Sequence, residues 1–169
     1  MNPNSILLLL LILLPSILIG QIDCKNEQID LLRLDLIPSF QNSAIIEIKC
    51  DSSSMSLNFK ILEYRGKEKS SETYTIPIET YESFKSVVLP LHIQSMFSVP
   101  NPYMSDGMLA EITFMDRYGN FNRFSMRFPM PNSSSLFLVK TILSLVEKLQ
   151  INREQRDYIK IIRKMYLPD

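Results

Sequence analysis

The sequence predicts an α+β fold: an antiparallel sheet of about six strands, arranged as a four-strand meander, a helix and a hairpin, packed by two C-terminal helices. Three observations carry this. Apolar and polar residues alternate through most of residues 32–61 and again through 110–128, the period of a strand with one buried face. The connections within each stretch are short, which favours antiparallel neighbours over βαβ units. Beyond Ser133–Ser135 the apolar spacing becomes helical and stays so almost to the end.

The first strand is read from Leu32, Leu34 and Leu36, which alternate with Arg33 and Asp35; Pro38 and Ser39 end it. Ile46, Ile48 and Cys50 define the second, and Met55, Leu57, Phe59 and Ile61 the third, with the polar break Asp51–Ser54 between them. Arg65-Gly66-Lys67 with Glu68–Ser70 reads as a polar turn, so the fourth alternating run is Tyr74, Ile76, Ile78. The period then changes. Thr80 is an expected N-cap, and Tyr81, Phe84, Val87 and Val88 follow at helical spacing up to Pro90. Residues 90–107 hold three prolines and no period. A hairpin follows, with Ala110, Ile112 and Phe114 on one arm and Phe124, Met126 and Phe128 on the other. Asp116–Asn120 supplies turn residues between the arms. A helix expected over 136–149 is apolar on nearly all sides, as one packed between layers must be. The last, over about 153–166, is basic, with an apolar side of Tyr158, Ile161, Ile162 and Met165.

Residues 1–20 read as a secretory signal peptide and 21–169 as a single domain. Ile6–Ile19 is apolar except for Ser16 and is interrupted by Pro15. Fourteen residues reach about 21 Å as a helix, short of the roughly 30 Å of a bilayer core. The expected cut after Gly20 would make Gln21 the new N-terminus, leaving a chain of about 150 residues, ordinary for one domain. Against this reading, the first five residues carry no Lys or Arg, and Leu18 is large for its place. Cys24 follows Gly20 too late for a lipoprotein signal. The expected location is therefore the periplasm or the extracellular space, with no stable membrane insertion after cleavage. There, Cys24 and Cys50 are expected to form a disulfide, since their spacing matches neither a redox nor a zinc motif. Closing a loop of about 25 residues contributes on the order of 3 kcal/mol in the chain-entropy model.

Composition narrows the function. Eighteen basic and 18 acidic residues balance, so nothing points to a nucleic-acid partner. Only four glycines are present, which disfavours a Gly-rich phosphate loop. The single histidine, His92, lies between Leu91 and Ile93 with no local nucleophile or acid to serve it. No HExxH or clustered carboxylate appears, and no cofactor is expected. Nine methionines could in principle serve Cu(I), but filling gaps in a core is their commoner use. Asn132-Ser133-Ser134 is a formal glycosylation acceptor, without meaning in a bacterium. The last helix region, 147–165, carries six basic residues against three acidic, and a solvated face explains that as well as an acidic partner does.

These features favour an exported protein that acts by binding another macromolecule. An inhibitor or immunity-type protein fits the size, the neutral charge and the lack of catalytic motifs. The expected binding surface is the irregular stretch from Pro90 to Gly107, where Phe97, Tyr103, Met104 and Asp106 supply aromatic and polar anchors and the prolines restrict the free chain. The alternative from another class is an envelope enzyme with a site assembled around Asp106 and this loop. A third reading is a structural accessory of the cell envelope. For Asp106, before Gly107, and for Asp116, plain turn formation competes with any chemical role.

Overall fold

The structure, a computed structural model, describes residues 29–39, 41–51, 54–63, 66–91, 107–128 and 133–167. Six strands form one open sheet: β1 (Ile29–Pro38), β2 (Ser43–Asp51), β3 (Ser54–Leu62), β4 (Glu68–Thr75), β5 (Met108–Asp116) and β6 (Phe121–Phe128). Among the described residues three α-helices accompany them: α1 (Ile78–Val88), α2 (Ser133–Lys148) and α3 (Arg153–Tyr166). Every neighbouring pair is antiparallel, in the order β4-β3-β2-β1-β5-β6. This is the α+β architecture that the alternating segments predict, meander, helix, hairpin and two closing helices included.

The register explains the core. Leu34 pairs with Ile46 on one side and Ile112 on the other, Ile46 with Phe59, and Ile112 with Phe124. Parallel rows run through Leu32, Ile48, Leu57 and Phe114, and through Leu36, Ala44, Ile61, Ala110 and Met126. All of these are buried, so one face of the sheet is a continuous apolar floor. The helices supply its cover with Tyr81, Phe84 and Val88 of α1, Leu138, Val139, Ile142, Leu143 and Val146 of α2, and Ile159 and Ile162 of α3. The opposite face is polar at its centre: Arg33 reaches Asp35 through two nitrogens at 2.9 and 2.8 Å, and Arg123 pairs with Glu111. The Asp35 carboxylate raises the Arg33 pKa further.

At β4 the apolar rows end. Its inward residues opposite Leu57, Phe59 and Ile61 are Tyr74, Glu72 and Ser70. β4 is an edge strand exposed along most of its length, and charge on an edge discourages pairing with other chains. The expected fourth strand, Tyr74 to Ile78, is corrected here. The strand starts earlier, at Glu68, and Ile78 already opens α1. Thr80 is likewise not the cap of α1; Pro77 holds that position without a side-chain bond. Because β4 and β5 run in the same direction with three strands between them, the segment joining them must cross the sheet, and α1 lies on that crossing.

Gly107 opens β5 under tight constraint. Its φ is 145°, and a Cβ there would lie 2.4 Å from the Phe128 carbonyl oxygen. Its own carbonyl accepts from the Ser39 backbone N–H and hydroxyl, both at 2.9 Å. No helix among the described residues is long and apolar enough to cross a membrane.

Candidate functional site

The first turn of α3 settles onto the polar inner row of β4. Asn152 caps the helix: its Oδ1 accepts from the Gln155 backbone N–H at 2.9 Å. An Asn followed by Gln three residues later resembles a capping box, in which the Gln side chain would return to the cap's own N–H. Here Gln155 turns inward instead. Its Nε2 donates to the Phe59 carbonyl at 2.9 Å, and its Oε1 accepts from the Tyr74 hydroxyl at 2.5 Å. The Tyr74 oxygen in turn accepts the Asn152 N–H at 3.3 Å, the bond the capping box would have given to Gln155. Glu72 closes the cluster, accepting from Tyr74 at 2.6 Å and from Asn152 Nδ2 at 2.7 Å. Those two donors hold its carboxyl below the ordinary carboxylate range. The Tyr74 phenol is pushed up, first by burial and then by Glu72. Its single proton faces two acceptors, so it can serve only one at a time.

Beside this cluster, between α3 and the edge of the sheet, lies a groove of about 500 Å³. Ile61, Tyr158 and Ile161 line it with apolar surface; Gln41, Asn42, Lys69, Arg153, Glu154 and Asp157 line it with polar groups. Lys69 reaches it because β4 carries a bulge: Ile61 pairs with Ser70 and Leu62 with Glu68, leaving Lys69 unmatched. An extra residue re-aims its side chain, and Lys69 meets Glu154 at 2.5 Å. Tyr158 is 7% exposed, packs edge-on against Phe59 and has no hydrogen-bond partner for its hydroxyl. Burial, with a smaller contribution from Tyr166, pushes its phenol well above the ordinary range.

The groove continues into exposed apolar surface. Ile161 and Met165, one turn apart on α3, are 43% and 51% exposed. Both were expected on the buried side of this helix. That side is instead Gln155, Tyr158, Ile159, Ile162 and Tyr166, a face rotated toward β4 and its polar row. Gln41 of the β1–β2 turn donates to the Met165 sulfur at 3.0 Å.

Of the residues the sequence singled out, Phe97, Tyr103, Met104, Asp106 and His92 lie outside the described residues. Asp116 closes the β5–β6 turn, accepting from the backbone of Tyr118 and Asn120 at 2.9 and 3.0 Å and from Asn120 Nδ2 at 2.8 Å. The Asn120 side chain is the main cause of its lowered pKa. Cys50 is packed against the core at the end of β2; Cys24, its expected disulfide partner, lies outside the described residues. Met108 and Met126 are buried in the core. Among the described residues, no group of three or more His, Cys, Asp or Glu is placed to hold a metal. Sequence reasoning missed Gln155 and Tyr74; the Asn152-x-x-Gln155 spacing was the available signal, although it does not reveal a partner 78 residues away. No family model, curated protein or solved structure matches this chain.

Proposed function

We propose that this is an exported protein that acts by binding another macromolecule, and that the flank of α3 is a contact surface. One observation carries the reading. Ile161 and Met165 are exposed beside an apolar-floored groove whose margin holds Lys69, Arg153, Glu154, Asp157 and two amides. An apolar centre inside a polar rim is the usual anatomy of a protein interface. Large apolar side chains exposed one turn apart on a helix suit anchoring in a partner's pocket.

The test is crosslinking in the native host with the whole chain and with Ile161→Glu/Met165→Glu. Loss of a specific crosslinked partner with an unchanged melting temperature supports the reading. A partner retained by the double variant removes α3 from the contact.

A further inference from the structure

A second groove lies on the far side of the helical layer, between α1 and α2. We propose that it binds a single-chain anionic amphiphile, an acyl chain ending in a carboxylate.

The groove is built from two facing stripes. On α1, Thr80, Ser83, Phe84 and Val87 recur at the spacing of one helix face. On α2, Phe137, Thr141, Ser144, Leu145 and Lys148 do the same, with Lys140 beside them. Phe84 and Leu145 are buried and form the floor, while Val87 and Phe137 are 38% and 48% exposed at the margin. The apolar surface is thus open to a ligand without rearrangement of the core.

The length suits one extended chain. The α1 stripe, residues 80–87, spans about 10 Å of helix rise and the α2 stripe about 16 Å. The space between them is about 280 Å³, room for one hydrocarbon chain laid along the slot.

Charge selects the head group. Among the described residues, the ionic groups lining the groove are Lys140 and Lys148, and no carboxylate lines it. Of the acids on the same two helices, Glu82 is engaged by Lys85 at 2.7 Å and Glu147 by Arg163 at 2.9 Å, and Glu79 of the first turn of α1 does not line the groove. Lys148 is exposed and forms no ion pair among the described residues. The hydroxyl-bearing residues Thr80 and Ser83 add polar margin to the same slot. An apolar floor with a cationic margin is complementary to an anion on an apolar tail.

The experiment titrates the full chain with dodecanoate below its micelle concentration, following binding by calorimetry and by methyl shifts of Val87 and Leu145. Dodecanol and dodecyltrimethylammonium serve as uncharged and cationic controls. Dodecanoate is expected to bind saturably at one site, with both controls at least tenfold weaker. Lys148→Glu should weaken it at least fivefold, and Phe137→Asp should abolish binding, each with an unchanged melting temperature. Absence of saturable binding, equal affinity for the ammonium amphiphile, or an affinity unmoved by Lys148→Glu overturns the proposal.

Discussion

Gln155 and Tyr158 sit one turn apart on α3, both facing the sheet, and meet opposite fates. Gln155 is fully buried, and both ends of its amide are bonded, to Phe59 and Tyr74. Tyr158 is almost as buried, yet its hydroxyl has no partner. The difference comes from the strands beneath them. Gln155 reaches the polar row of β4, whereas Tyr158 packs against the ring of Phe59. A buried polar group is stabilising or costly according to what faces it, and three residues along one helix are enough to change the answer.

The largest effect is expected at Gln155. Replacing it with Leu removes the buried bond to the Phe59 carbonyl and leaves the Tyr74 proton to Glu72 alone, at a cost of about 2 kcal/mol. Urea unfolding measures it, and a loss below about 0.5 kcal/mol would mean that the amide contributes nothing net. Tyr158→Phe should move stability the other way. It keeps the ring against Phe59 and deletes the unsatisfied hydroxyl, a gain of about 1–2 kcal/mol in the same assay. A loss of stability would show that the hydroxyl has a partner, for instance an ordered water.

The smallest effect is a change in pH dependence at Glu72. Its folded pKa is depressed, so the unfolded chain takes up the proton first as pH falls. The stabilisation is complete above the ordinary carboxylate range and is lost as pH drops through the folded value. Glu72→Gln should lose that increment at neutral pH, change stability little at low pH where Glu72 is protonated, and so flatten the acid limb below about pH 4, near the ordinary Glu value. An acid limb identical to that of the parent chain would assign the loss to other carboxylates, Asp116 among them.

Legibility in the sequence followed burial. β1, β2, β3, β5 and β6 each have one face in the apolar floor, so their alternation is visible residue by residue. β4 was misplaced because its inward residues, Ser70, Glu72 and Tyr74, meet hydrogen-bonding partners, and a polar row leaves no alternation to read. The buried face of α3 was misjudged for the same reason. Ile161 and Met165 look like core residues by spacing, but the helix turns Gln155 toward β4 and leaves them outside. Of the candidate site, the Asn152-x-x-Gln155 spacing is a local signal that the sequence reading did not use. The roles of Tyr74 and Lys69 were not readable, since they depend on contacts made more than 70 residues away in the chain.

The central position of β1 has a consequence for how the chain is made. Its neighbour β2 follows after a turn of a few residues, but β5 begins about seventy residues after β1 ends. The first pairing is fast and local, and the second must close a long loop. Until Asp116 has been synthesised, one edge of β1 lies bare beside Leu32, Leu34 and Leu36, a template for pairing with other nascent chains. Chains ending at Leu91 are therefore expected to sediment as aggregates at concentrations where the whole chain does not, and a well-dispersed fragment would show that the meander protects its own edge.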